Sequence, residues 1–409
     1  MTEAKNHYDI VIAGGGMIGT SLALALAPLK LRVAVVEAVP RAEKQQPSFD
    51  DRSTALSRSS QRMFEAMGLW PDIAKSSTPI KRIHVSDRGR FGFSHIDAQE
   101  QGVESLGYVV INRTLGEVLQ NALVNIDEID LVCPGKISAV EMRPDSAIVS
   151  VDAPDGSSRH LSCNLLVASD GASSAVRDMV GISALRVDYE QTAVVGNLKP
   201  EKPPENRAFE RFTDTGPIAL LPVSDDRAAF VWTLSPSQAE EVMQLSDDEF
   251  TGELQAAFGH RLGKFSRVGK RAAYPLALSK ASRLVADRCV LIGNAAHGLH
   301  PVAAQGFNLG LRDVAALSDC ILDAEMADVG DGEILDKYAA WRRSDQRKLV
   351  RITDGIVRLF GSARAPVRAL RNLGMLGFDL VPGVRSLFAK HMMGLAGRLP
   401  RLSRGVPLE

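Results

Sequence analysis

Three stretches of the 409-residue chain predict an α/β fold in which a parallel, nucleotide-binding sheet is interrupted by a mainly antiparallel one. Residues 8–13 (YDIVIA) read as a buried strand that runs into Gly14-Gly15-Gly16-Met17-Ile18-Gly19, with a small-residue helix over 17–29. Residues 288–314 (RCVLIGNAAHGLHPVAAQGFNLGLRDV) share this character. A strand over 289–292 breaks at Gly293, crosses a small-residue loop and enters a helix near Gly306. Between them, 80–107 and 187–274 alternate apolar and polar residues with frequent turns, as antiparallel strands do. Each glycine-rich segment puts backbone N–H groups and a helix N-terminus against something extended and anionic. One dinucleotide gripped at both ends satisfies both.

The chain is long enough for two or more domains. Its 48 basic and 49 acidic residues leave a net charge of −1, so nothing global points to nucleic acid. The four cysteines (Cys133, Cys163, Cys289, Cys320) are far apart and form no CxxC pair. They support neither zinc nor a dithiol redox pair; reduced and mostly buried, they fit a cytoplasmic protein. The polar N-terminus has no signal-peptide pattern, and no apolar run reaches transmembrane length.

Taken in order, the strand at 8–13, the helix at 17–29 and a strand at 32–37 make a βαβ unit with a parallel pair. A polar loop covers 40–51, and a helix over 57–67 ends at Gly68. Residues 112–125 (NRTLGEVLQNALVN) read as an amphipathic helix opened by Asn112. Strands at 137–140, 147–151 and 165–168 return to the first domain, and ALLPVSDDRAAFVWTL predicts two strands joined by an Asp-rich turn. The expected division is a discontinuous nucleotide-binding domain (1–79, 108–186, 275–340), an interleaved substrate domain (80–107, 187–274) and a helical C-terminal region (341–409).

Gly14-Gly15-Gly16-Met17-Ile18-Gly19 fits GxGxxG between a strand and a helix, the Rossmann arrangement for pyrophosphate. Glu37 ends the second strand, 18 residues beyond Gly19, where a carboxylate accepts hydrogen bonds from a ribose diol. An acid there disfavours a 2′-phosphate, leaving FAD or NAD. Residues 165–177 (LLVASDGASSAVR) add a strand, an Asp170-Gly171 turn and a helix start.

These three elements resemble the flavin motifs of the FAD-dependent aromatic hydroxylases of the para-hydroxybenzoate hydroxylase group. A finer likeness points to the ubiquinone-biosynthesis branch, nearest the 2-polyprenyl-6-methoxyphenol hydroxylases. It is carried by Gly293-Asn294-Ala295-Ala296-His297, His300-Pro301, Gln305-Gly306-Phe307-Asn308-Leu309-Gly310 and Arg312-Asp313. Asp51-Arg52-Ser53-Thr54-Ala55-Leu56-Ser57, Tyr338, Arg342-Arg343 and Asp345 add to it, and the likeness spans essentially the whole chain. Asn294 stands where most of the group has aspartate; it keeps a hydrogen-bonding side chain without the charge.

The resemblance implies a Rossmann-type FAD-binding domain with FAD resident and NADPH or NADH as transient reductant. It implies hydroxylation of a polyprenylated phenol with O2, through a C4a-hydroperoxyflavin. It assigns FAD contacts to Gly14, Gly16, Met17, Ile18, Gly19, Glu37, Ala38, Arg52, Arg113, Asp170, Gly171, Gly293, Asn294, Pro301, Gln305, Gly306, Phe307 and Asn308. His300, Pro301, Gly306 and Asn308 fall nearest the chemistry, with the helix near Gly306 aimed at the flavin edge that becomes anionic on reduction. Plainer readings stand beside these: a helix N-cap for Asn308, an Asx turn for Asp170, solvated surface for Arg52 and Arg113. Arg177 reads as a local binder. Nothing in the sequence pairs His297 or His300 with a partner, and no base for the phenol can be named.

Residues 356–405 carry Arg358, Arg364, Arg368, Arg371, Arg385, Lys390, Arg398, Arg401 and Arg404 against one acid, Asp379. Such a basic, apolar tail lies on an anionic membrane surface, docks a partner in a biosynthetic complex, or is a helical layer with a solvated face. The resemblance favours peripheral contact with the inner membrane. The rival functions are hydroxylation of a soluble aromatic, a flavin reductase acting on a prenyl lipid, and a flavin-bearing, non-catalytic subunit of a lipid-synthesis complex.

Overall fold

The strand His7–Ala13 is apolar on both faces beyond its first residues, which suits the middle of a covered parallel sheet. The computed structural model describes residues 6–40, 52–89, 93–224, 226–298, 305–324, 328–361 and 382–409. In it His7–Ala13 pairs in parallel with Val33–Val36 on one side and with Ser158–Ala168 on the other. Ile129–Val132 and Cys289–Leu291 extend the parallel set at its two sides. The hairpin Lys136–Met142 and Ala147–Asp152 joins antiparallel to Ser158–Ala168. Helix Met17–Leu26 makes the crossover of the expected βαβ unit. The strand Ile129–Val132 had no legible signal: it is four residues long, with two of them exposed.

A second, nine-stranded sheet takes its strands from 82–97 and 184–281, and the short strand His297–Gly298 joins its edge beside Ala272–Ala281. The expected hairpin is present as Pro217–Ser224 and Arg227–Leu234. The sequence reading of 187–274 as alternating throughout needs correction, because helices Pro236–Gln244 and Asp247–Phe258 interrupt it. Each begins with a capping box, Ser235 with Gln238 and Ser246 with Glu249, a pattern that marks a helix start in sequence. These helices cover one face of the sheet, where Leu220, Phe230 and Trp232 pack on Phe250, Leu254 and Phe258. On the other face, Ala208, Val223 and Ala229 pack on Ile80 and Val109. Those two belong to a small sheet of Ser53–Ser57, Thr78–Ile80 and Gly107–Ile111, which joins the two large sheets.

Asn112 does not cap its helix. Helix Asn112–Leu123 has Ile111 at its N-cap without a side-chain bond. Asn112 is buried instead, and its Oδ1 accepts the Thr54 hydroxyl at 2.6 Å.

After helices Gln305–Leu322, Gly332–Gly361 and Pro382–Met392 the chain folds back, burying Leu402 and Leu408 in the parallel-sheet core. Among the described residues, three of the tail's basic side chains are paired within the protein. Arg401 pairs with Asp323 at 2.8 Å and Asp319 at 3.6 Å, Arg398 lies 4.3 Å over the Trp341 ring, and Arg385 meets Glu100 at 3.0 Å. Lys390 and Arg404 are exposed; the side chains of Arg358, Arg364, Arg368 and Arg371 lie outside the described residues. Among the described residues no helix is long and apolar enough to cross a membrane.

Candidate active site

The first glycine turn is packed to the limit of backbone contact. Gly14 has φ of +97°, a conformation side chains rarely adopt. A Cβ on Gly19 would sit 1.9 Å from the Gly14 carbonyl oxygen, so only glycine permits the approach. Helix Met17–Leu26 then starts at Gly16 with no side-chain cap and no acid in its first turn, which leaves its leading N–H groups for an anion. Glu37 follows strand Val33–Val36, and its carboxylate accepts the N–H groups of Gly15 and Val39, each at 2.8 Å. Ala38 beside it is exposed, and Met17 is half-buried. Ile18 wedges this turn against the last one: Cβ atoms on Gly293 and Gly310 would fall 3.2 and 2.7 Å from its side chain.

The middle segment is stapled to the first. The Ser169 hydroxyl is shared between the carbonyls of Ala13 (2.8 Å) and Gly14 (2.9 Å). Asp170 accepts the Ser174 hydroxyl at 2.5 Å and the Val176 N–H at 3.1 Å, and Ser174 caps the short helix Ala175–Met179 by accepting the Arg177 N–H at 3.0 Å. Gly171, at φ +92°, has open space where a Cβ would stand. Arg177 is buried and donates to the carbonyls of Ala172 (3.1 Å) and Ala295 (3.3 Å), the local role read for it.

The last segment rests on a buried charge network. Asp313 accepts the Gly293 N–H at 2.9 Å, bonds His297 Nε2 at 2.6 Å and pairs with Arg342 Nε at 2.7 Å. Arg342 continues to Asp345, which Arg312 also meets at 3.0 Å. The Tyr338 hydroxyl donates to the Leu291 carbonyl at 3.1 Å. Burial alone would raise the Asp313 carboxyl, but the attraction of His297 and Arg342 outweighs it and holds the group at about 2. The residues quoted for the finer likeness, Arg312, Asp313, Tyr338, Arg342 and Asp345, thus form the frame behind Gly293. His297 is part of that frame, 1% exposed, and its partner Asp313 is one the sequence did not reveal. Asn294 is exposed on the turn Gly293–Ala295; His300 and Pro301 lie outside the described residues.

Helix Gln305–Leu322 supplies the remaining expected residues. Gln305 is buried and Phe307 half-buried, while among the described residues outside its own helix turn no atom lies within 4 Å of where a Gly306 Cβ would stand. Asn308 is not the N-cap: it is the fourth residue of the helix and its amide is bonded to protein on both sides. Its Oδ1 accepts the Ser57 N–H (2.8 Å) and the Ser60 hydroxyl (2.7 Å), and its Nδ2 donates to the Ala55 carbonyl (2.9 Å). Asn308 is a positioning residue that fixes the helix start against Ser53–Ser57. The Arg52 guanidinium stacks 4.7 Å over the Tyr274 ring of the second sheet, and Arg113 is exposed in the first turn of its helix. Sequence reasoning missed Ser57, Ser60 and Ser169 as staples, because a serine's bonding partner is set by the fold.

A model of the FAD binding domain family matches residues 7–353. This chain belongs to that family. It is 37% identical to ubiquinone hydroxylase UbiL of Rhodospirillum rubrum, over 99% of this chain and 95% of the relative. It is 30% identical to 3-demethoxyubiquinol 3-hydroxylase of Escherichia coli, over 95% and 98%. Among solved structures, p-nitrophenol 4-monooxygenase PnpA of Pseudomonas putida superposes with a TM-score of 0.79, covering 95% of this chain and 98% of that one, at 19% identity. That likeness is one of fold.

The residues present fit FAD. The uncapped helix start at Gly16 suits a pyrophosphate, and Glu37 places a carboxylate just past the second parallel strand, beside the glycine turn. Gly171 and Gly306 leave open the space that a side chain would fill.

Proposed function

We propose that this protein is a monooxygenase that hydroxylates the ring of a polyprenylated phenol in ubiquinone biosynthesis, using O2 and electrons from NADPH or NADH. The observation that carries this reading is the match to a ubiquinone hydroxylase across nearly the whole of both chains. FAD, when bound, supplies the oxygen chemistry, and the chain supplies binding, orientation and exclusion of water. Gly14, Gly16 and Gly19 shape the pyrophosphate site with Met17 and Ile18 beside it, and Glu37 and Ala38 border the adenosine ribose. Arg52, Arg113, Asp170, Gly171, Gly293, Asn294, Gln305 and Phe307 complete the cofactor contacts. Gly306 would let the backbone approach the ring, and the start of helix Gln305–Leu322 would stabilise the negative charge that bound FAD gains on reduction. Asn308 keeps that helix start in place.

Deleting the gene and profiling the lipids of the aerobically grown source organism tests the function. A prenylated phenol lacking one hydroxyl should accumulate as ubiquinone falls. Unchanged ubiquinone with no new phenol, in a strain with no redundant hydroxylase, would favour a soluble aromatic substrate. Normal ubiquinone from a variant with a blocked flavin face would favour a non-catalytic subunit.

The C-terminal helix Pro382–Met392 favours peripheral membrane contact as a finer part of the same reading. Val384 and Leu387, three residues apart, are 50% and 60% exposed, and Lys390 follows one turn later on the same side. Changing Val384 and Leu387 to glutamate should abolish co-sedimentation with anionic liposomes; unchanged sedimentation would refute it.

A further inference from the structure

The second sheet's two faces differ in how completely they are covered. The face that carries Phe209 and Phe230 is closed by helices Pro236–Gln244 and Asp247–Phe258. On the opposite face, one row of residues crosses six strands by direct register: Val85, Glu210, Ala219, Val231, Val195 and Ala272. All six are half-buried. The next row, Ala208, Leu221 and Ala229, packs on the small sheet through Ile80, Val109 and Ala55. Ala55 is the residue whose carbonyl takes the Asn308 amide, so the row runs past the start of the helix that carries Gly306. At the far side, Tyr274 shares this face by register with Ala193 and carries the Arg52 guanidinium. The row therefore lies on the face of the sheet that is turned toward Ala55 and the Arg52–Tyr274 contact, beside the expected cofactor residues.

Glu210 is the one ionisable residue in that row. Among the described residues no hydrogen bond or ion pair reaches its carboxylate, although surface acids elsewhere in the chain are bonded. The residues opposite and adjacent on this face are Val85, Ser94 beyond it, and Ala219, none of them charged. Asp87, two residues past Val85, is the next acid along that side by register. A carboxylate set among valine and alanine is costly to ionise unless something meets it.

We infer that Glu210 receives the phenolic hydroxyl of the substrate and takes up its proton as the ring is hydroxylated. This assignment rests on the proposed function. The proton passes from the phenol oxygen to the Glu210 carboxylate, and the oxygen's electron density moves into the ring toward the carbon that acquires oxygen. The new C–O bond takes one oxygen of O2 as the O–O bond breaks, the other oxygen leaves as water with the two electrons of NAD(P)H, and the ring carbon gives its hydrogen to water as a proton. Glu210 returns its own proton to the original oxygen, so the residue ends as it began. Burial raises the Glu210 carboxyl to about 7, which matches a proton acceptor working near neutrality. Activation by the phenolate form explains why an apolar pocket holds an acid.

The test uses purified FAD-loaded protein with NAD(P)H, O2 and 2-geranylphenol as the probe. Wild type should form hydroxylated geranylphenol, with a rate that rises as pH passes through about 7. Glu210→Gln should keep its flavin content and its reduction by NAD(P)H. It should lose product formation by about a hundredfold and lose the pH-dependent limb. Glu210→Asp should recover part of both. Wild-type turnover matched by Glu210→Gln, at the same rate and with the same pH profile, would overturn the role of Glu210 alone. A wild-type enzyme that neither hydroxylates the probe nor shows a flavin spectral change on adding it would overturn the functional reading, and this inference with it.

Discussion

At the residue scale, the glycines of the site separate those the fold requires from those the ligand requires. Gly19→Ala would place a methyl 1.9 Å from the Gly14 carbonyl oxygen, so no soluble, folded protein should be recovered. Gly306→Ala meets no atom within 4 Å among the described residues outside its own helix turn. It should melt at the wild-type temperature without FAD, yet lose affinity by at least about tenfold in a flavin titration. Asp313 makes a pH prediction. Its folded pKa of about 2 lies below the usual carboxylate value near 4, so its ionised form adds stability above that value. That contribution is lost as pH falls from about 4 through about 2. Asp313→Asn should flatten this part of the acid-unfolding curve and cost roughly 3–5 kcal/mol at pH 7, because Arg342 is left buried with one counter-ion fewer. Chemical denaturation across pH measures both.

At the element scale, strands and helices were legible where one physical signal dominated. The strand His7–Ala13 showed an apolar run and helix Met17–Leu26 its glycine turn. Pro217–Ser224 and Arg227–Leu234 showed two alternating runs around an acidic turn. The helices at 236–258 were misread, although their capping boxes were in plain view, because the flanking alternation was extended across them. Ser246→Ala removes one of those caps and should cost about 1 kcal/mol in the melting of the whole protein. The glycine turns and the place of Glu37 after the second strand were legible, since each answers a local backbone demand. The roles of Asn308 and His297 were not, because the partners that define them sit elsewhere. The Asn308 amide meets Ser57, 251 residues earlier in the chain. A reading along the sequence contains no trace of such a pairing.

At the scale of the whole molecule, part of the charge of the C-terminal region is architectural. Arg401 joins the tail to helix Gln305–Leu322 through Asp319 and Asp323, and Arg398 lies against Trp341 of the following helix. Arg401→Glu should therefore lower the melting temperature by several degrees, with liposome binding unchanged among the molecules that stay folded. Proportionate loss of liposome binding at an unchanged melting temperature would restore the membrane role of that arginine.

The parallel sheet is completed by residues from opposite ends of the chain. The Ser169 staple spans 156 residues, and the neighbouring strand Cys289–Leu291 is followed by a tail whose Leu402 and Leu408 close the same core. Such long-range closures are slow to form, since chain entropy is lost before contacts repay it. During synthesis, the first glycine turn leaves the ribosome long before the strands and helix that complete its pocket. The pocket is therefore complete only once the chain has been made as far as helix Gln305–Leu322. Because FAD binds the folded state alone, it stabilises that state by mass action, and adding FAD to the purified apoprotein should slow its digestion by protease.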